Sequence, residues 1–321
     1  MQKQKVHYQK HWVDVPTQIR VLESRGLIVT GHQEAAEFLS YLNYYRFTGY
    51  CLRFQPTKDC NGNRIFIPGT RFEDIRDLYV FDKSLRDVFA DGLEMIEISI
   101  KTAISDVFGG SYDALGHLVP SHFASSFTSP KKGDKTGDPT DYEIWRSKLQ
   151  SETRRSRELF VTHFKNEYLE YPDLPIWIAC EVASFGSVSR LYDNLLKREM
   201  RIIAQRYGLQ PSFLASFLHT FVYLRNVCAH HSRLWDKSLS IKPQLPPGKL
   251  WDMIRSMPVN SLFPAASSIY WILRHDSIAS DSRQGWRDSL AKVMTEFSQR
   301  FPTLVHFTGF PPNWQNLALW K

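Results

Sequence analysis

Cysteine is scarce in this chain: Cys51, Cys60, Cys180 and Cys228 are scattered through 321 residues, with no Cys-x-x-Cys pair. That argues against a disulfide framework and against a cysteine-based zinc site, and predicts a protein of the reducing cytoplasm. Long hydrophobic runs are also missing. None approaches the ~20 residues needed to span a bilayer, so no membrane span is expected. The opening stretch MQKQKVHYQKHW has no apolar core, and no secretory leader is expected there. Internal repeats and low-complexity tracts are absent as well, which argues against a solenoid or an array.

What the chain does have suits a packed globular interior: 43% hydrophobic and 14% aromatic residues. Lys and Arg exceed Asp and Glu by 40 to 33, a net charge of +7 that permits a polyanionic partner.

Most of the sequence carries helical periodicity, and the expected class is all-α. Thr17 to Arg25 reads as a short amphipathic helix with Gly26 as its cap. A second helix is expected over Ala36 to Tyr45, and Asn61-Gly62 between short apolar runs suggests a hairpin or irregular insert. Thr70-Arg71-Phe72-Glu73 reads as a capping box opening a long helix that Gly109-Gly110 should end. Within that helix Glu97 and Lys101 read as a solvated i,i+4 pair. Ser129 to Asp141 reads as a mobile loop. The helix after it should run on into Arg154, Arg155 and Arg157, a run that either touches phosphate or is simply solvated. Further helices are expected at 176–184, 187–207, 212–235, 265–275 and 286–300. The domain plan is an N-terminal helical segment over 1–66, a core over 67–240 and a helical extension over 241–321.

One stretch resists a core explanation. After PSFLASFLHTFVY, a buried helix in the making, come LRNVCAHHSRLW. At ~100° per residue, Leu214, Phe217, Leu218, Phe221, Leu224 and Cys228 share one face, and Asn226, Ala229, His230 and Arg233 the other. Arg225 lies roughly 140° from His230 on an ideal helix. Asn226, His230 and Arg233 thus form a polar stripe that Arg225 can reach around to join, whereas His231 projects toward the apolar side.

A histidine moves protons near neutral pH, and an arginine holds phosphate and offsets charge developing on it. Together they suffice to cleave RNA by attack of its own 2′-hydroxyl, leaving a 2′,3′-cyclic phosphate and a 5′-hydroxyl. No Asp, Glu or Cys stands at ligand spacing from the paired histidines, so neither metal nor cofactor is expected.

RNVCAHHSRLW resembles the signature of the Abi-like (abortive infection) proteins of the HEPN ribonuclease superfamily, whose motif is Arg, a polar residue, a short spacer and His. Arg225, Asn226 and His230 match it, with His231 at the longer spacing. ESRGLIV, YLNYYRFTGYCLRF, FEDIRDLYVFDKSLRDVF, GLEMIEISIK and LPIWIACEVASFGSVSRLY resemble other stretches of the same family, so that most of residues 20–240 is covered. Asp236 stands where relatives often have Asn. The resemblance implies a HEPN-type helical bundle and metal-independent endoribonuclease activity in bacterial defence against phage. Its catalytic residues would be Arg225, Asn226 and His230, with His231, Arg233, Arg154, Arg155 and Arg157 as secondary RNA contacts. It also implies a homodimer, because one motif per chain supplies half of a composite site, and a small noncoding RNA as antitoxin. The alternative is a HEPN module that binds RNA or neutralises a toxin without cutting.

Overall fold

The computed structural model describes residues 7, 11–60, 62–130, 137–275 and 280–321. The chain forms two compact units, Met1–Lys83 and Ser84–Lys321.

In the first unit, α1 (Val15–Ser24) is capped by the Asp14 carboxylate, which accepts from the Thr17 amide at 3.0 Å. It ends in a Schellman motif: Gly26 N–H donates to Glu23 and Leu27 N–H to Leu22, with Gly26 at φ 93°. The expected helix over Ala36–Tyr45 is instead two helices, α2 (His32–Leu42) and α3 (Tyr44–Cys51). Asn43 between them has φ 69°, and its side chain accepts from the Tyr45 amide and starts α3. Of the hairpin or irregular insert expected here, the chain forms the hairpin, β1 (Thr57–Lys58) and β2 (Arg64–Ile65), antiparallel, with Thr57 opposite Ile65; Asn61 lies outside the described residues.

The long helix α4 spans Phe72–Tyr112. Its start is not the expected capping box. Thr70 Oγ1 donates to the Ile67 carbonyl, while the Asp74 carboxylate accepts from the Arg71 amide. Its end is not the glycine pair either. The helix passes through Gly109 and Gly110 and stops at Asp113, which has φ 63°. A Cβ on Gly109 would stand 3.4 Å from Ile176 and 3.6 Å from Trp177, so this glycine serves close packing rather than termination.

The second unit continues with α5 (Ser125–Thr128), α6 (Asp141–Arg155), α7 (Leu159–Glu167), α8 (Ile176–Val182), α9 (Phe185–Asp193), α10 (Lys197–Arg206), α11 (Pro211–Ala229), α12 (Lys249–Arg255), α13 (Leu262–His275) and α14 (Ser280–Arg300). The mobile loop expected at Ser129–Asp141 falls largely on residues 131–136, outside the described residues; Thr140 and Glu143 form a capping box that starts α6. The single helix expected at 187–207 is divided into α9 and α10. At the break the Asn194 carbonyl accepts from Ala124 N–H, and Leu195 bridges to Phe123, so those backbone groups leave the helical ladder. Among the described residues the only sheet is the β1–β2 pair, and the class is all-α. None of these helices is long and apolar enough to cross a membrane.

Helix α11 is the axis of the second unit and packs against α9, α10 and α13. Leu214, Phe217, Leu218, Phe221 and Leu224 are fully buried, and at roughly 2 kcal/mol per large apolar side chain this face holds the helix firmly in the unit. Beyond it, Trp320 stacks on Tyr270 at 4.7 Å and Trp286 lies 6.2 Å from Trp320. These rings seat the C-terminal residues on α13 and α14.

Candidate active site at the end of the buried helix

The chemistry-bearing residues emerge where α11 stops. Pro211 opens the helix at its first turn, where a missing N–H costs nothing. The helix ends at Ala229, earlier than the expected 235. The end is a second Schellman motif: His231 N–H donates to the Cys228 carbonyl at 2.9 Å and Ser232 N–H to Val227 at 2.9 Å. His230 is the C-cap residue at φ −88°, and His231 takes the left-handed position at φ 52°.

This termination corrects two expectations. His231 does not turn toward the apolar face; the left-handed turn carries it out, and it is exposed. Arg233 does not continue a helical stripe, because it lies past the end of α11 and is half-buried. The next two residues, Leu234 and Trp235, have no exposed surface. Trp235 packs against Phe297 at 6.1 Å and Phe307 at 6.4 Å. The polar stretch is therefore held between buried anchors, Val227-Cys228 before it and Leu234-Trp235 after it. Asp236 has φ 47°, a conformation that Asn and Asp tolerate better than most residues.

Glycine fills the left-handed position of the α1 motif and histidine that of α11, where an L side chain costs about 1 kcal/mol. His231→Gly is therefore expected to be more stable than His231→Ala by about 1 kcal/mol in denaturant unfolding. Both variants lose the ring and only one loses the strain. Equal stabilities would show that the turn carries no strain.

Asn226 and His230 are exposed, as expected for a polar face. Arg225 is held from the other side. Its guanidinium lies 3.4 Å from the Glu97 carboxylate of α4 and makes a long 3.5 Å contact with the Asn226 side-chain oxygen. Glu97 also takes Lys101 at 3.1 Å, and Lys101 Nζ donates to the Glu181 carbonyl at the end of α8. Glu97 and Lys101 side chains are only 15% and 12% exposed, so this is not the solvated pair that the helical spacing suggested. Glu97 is the carboxylate that fixes two cations, one of them Arg225. Sequence spacing shows the Lys101 contact but not the one to Arg225, 128 residues away. Glu97→Ala is expected to cost about 2 kcal/mol of unfolding free energy, because it leaves two part-buried cations without their acceptor. A loss below about 0.5 kcal/mol would mean that solvent screens the cluster.

The basic run lies on a different helix from the histidines. Arg154 and Arg155 close the last turn of α6, where cations suit the negative helix end, and Arg157 follows on the exposed connection. The expected helix through Arg157 stops at Arg155 because Ser156 N–H caps it through the Glu152 carbonyl. Arg155 lines a cleft with Glu152, Glu158 and Glu181. That mixture of charges is less suited to phosphate than the bare run suggested.

One histidine was missed from sequence. His219 is exposed, and on a helix it falls within about 20° of both Asn226 and His230. Counting back two and three turns from the motif would have found it. His219 borders a cleft between α9 and α11 that also contains Asp193. Burial raises the Asp193 carboxyl to about 6, against a smaller opposing pull from His219. With the folded pKa above the unfolded one, Asp193 contributes stability below about pH 4, and that contribution is lost as pH rises through about 6. Asp193→Asn is therefore expected to stabilise the protein at pH 8 and to be neutral near pH 4, by about 1 kcal/mol at most because the residue is exposed and solvent screens its charge. Melting curves at both pH values check this, and a stabilisation independent of pH would contradict it.

Among the described residues no group of three His, Cys, Asp or Glu is placed to hold a metal ion. Buried Cys180 has its thiol pushed up to about 12 by desolvation, so it is inert as a nucleophile.

The family model described as Abi-like protein covers residues 37–236, which takes in α11, the two histidines and the Leu234-Trp235 anchor. No curated protein and no solved structure matches the chain.

Proposed function

The chain belongs to the Abi-like protein family, which suggests a part in abortive-infection defence, and from that premise we propose that it is a metal-independent endoribonuclease of the HEPN type. The observation that carries the reading is the end of α11. A helix with one fully buried face delivers Asn226 and His230 to solvent and Arg225 to its flank, and a double anchor fixes them. Glycine is the usual residue at the left-handed position of such a turn, and here that position is taken by His231.

In this reading the RNA 2′-hydroxyl attacks the adjacent phosphorus, so the substrate supplies its own nucleophile. The His230 imidazole is the general acid or base. Arg225 exchanges Glu97 for the phosphate and offsets the charge of the phosphorane. Asn226 orients the phosphate or the imidazole. Arg233 and His231 lie beside the strand as secondary contacts, and Arg154, Arg155 and Arg157 are its outer ones. Each chain offers one such set, and two copies related by a two-fold axis would bring two sets to one phosphate. A small noncoding RNA bound to the same groove would act as antitoxin.

The Arg225–Glu97 pair also favours a second reading, an RNA-binding module that does not cut, because an arginine that stays on Glu97 cannot offset the phosphorane. Incubating the purified protein with end-labelled RNA in EDTA separates the two. Fragments with 2′,3′-cyclic phosphate and 5′-hydroxyl ends are expected. Binding without fragments selects the second reading, and cleavage only after a divalent metal is restored rejects the proposed chemistry.

A further inference from the structure

The cleft beside His219 is not used by the cleavage chemistry above. It measures about 320 Å³ and is lined by Gly186, Ser189, Arg190 and Asp193 of α9 and by His219 and Val222 of α11. That is the small end of the range for ligand clefts, suited to one base rather than to a longer stretch of chain. It opens on the same side of α11 as Asn226 and His230, and His219 precedes His230 by ~16 Å along the helix axis. A strand with its scissile phosphate at His230 would pass over the cleft a few nucleotides away.

The side chains are set out as a base reader needs them. Asp193 is the last residue of α9, the negative end of the helix, where a carboxylate is electrostatically unfavourable. Asp193 is exposed at the rim of the cleft, so its carboxylate is open to a ligand. A charge that the helix end disfavours points to a use outside the fold. Arg190 is fixed beside it, its guanidinium 2.9 Å from the Asp141 carboxylate and 6.0 Å from the Phe127 ring. It is thereby held as a plane and is not neutralising Asp193. Gly186 leaves the floor open: a Cβ there would stand 3.7 Å from Val222 and 4.0 Å from Lys148 Nζ.

We propose that this cleft is a guanine-binding subsite for single-stranded RNA, with the Asp193 carboxylate accepting the base N1–H and N2–H while His219 and Arg190 flank its faces. The subsite rests on the RNA reading given above. Imidazole and guanidinium planes are the usual stacking partners of splayed-out bases. The choice of guanine follows from the edge. A carboxylate offers two parallel acceptors, and among the four bases only guanine presents two adjacent N–H donors on its pairing edge. Adenine and cytosine each pair one donor with an acceptor, and uracil flanks one donor with two acceptors.

The test uses the full-length His230→Ala protein, which on this reading binds RNA without consuming it. The probes are fluorescent oligouridine RNAs that carry one central guanosine, inosine or adenosine. The guanosine RNA is expected to bind about tenfold tighter than the adenosine RNA, with inosine, which lacks the 2-amino group, between them. Asp193→Asn in the same background should bring guanosine down to the adenosine level, because an amide replaces one acceptor with a donor. Gly186→Val, which narrows the cleft without touching Asp193, should do the same. Thermal unfolding of both variants confirms that they are folded. Equal binding of the three RNAs overturns the subsite, while cleavage by the wild-type protein in parallel leaves the ribonuclease reading standing. A guanosine preference that survives Asp193→Asn also overturns it. Failure to bind any of the RNAs overturns both.

Discussion

Replacing His230 with alanine is expected to lower RNA cleavage at least about a hundredfold while changing unfolding free energy by less than about 0.5 kcal/mol. The two effects separate because of where the residue sits. His230 is the C-cap of α11 and is exposed. Its backbone amide closes onto the Asn226 carbonyl, a bond that alanine keeps. The chemistry, by contrast, depends on the ring. Among the described residues the other exposed imidazole at the end of α11 is His231. The double variant with His231→Ala therefore belongs in the same experiment. If His230→Ala still cuts at the wild-type rate and His231→Ala does not, the roles of the two histidines are reversed. That outcome would fit the exposure of His231, which helical periodicity alone had turned inward. If His230→Ala unfolds, the ring has a structural task, and the catalytic assignment loses its support.

The second large effect concerns copies of the chain. A composite site predicts that inactive chains poison active ones. In a randomly exchanged mixture with a threefold excess of His230→Ala, about one dimer in sixteen is wholly wild type, whereas about one chain in four is. Activity measured after mixing, unfolding and refolding the two proteins together should follow the dimer count. If it follows the chain count, each protomer cleaves alone. Then Arg225 and His230, leaving α11 in directions roughly 140° apart, would have to reach one phosphate from the same helix end. The same doubling places two sets of cations beside one strand, so RNA binding is expected to weaken steeply with salt through counterion release.

Much of this protein is decided by local sequence. The all-α class follows from apolar residues at helical spacing, and the sequence alone names the buried face of α11 from Leu214, Phe217, Leu218, Phe221 and Leu224, because burial on a helix is a matter of angle. The Gly26 cap and the β1–β2 hairpin were equally legible, since each rests on a conformation that particular residues supply. The motif itself, Arg225-Asn226 with His230, was legible as a break in an apolar pattern.

Tertiary structure decided where the helices stop and what the charges face. Gly109 and Gly110 look like terminators, yet Gly109 is small because Ile176 and Trp177 lie against it. His231 looks like a helical residue, yet buried Leu234 and Trp235 draw the chain aside, and the turn at Ala229 reverses the side on which it projects. Glu97 looks like half of a surface pair, and only the packing of α4 against α11 makes it the anchor of Arg225. Periodicity reports the angle of a side chain about its own helix. The partner that waits at that angle, and the residue at which the angle ceases to apply, are set by distant parts of the chain whose contacts leave no local signal.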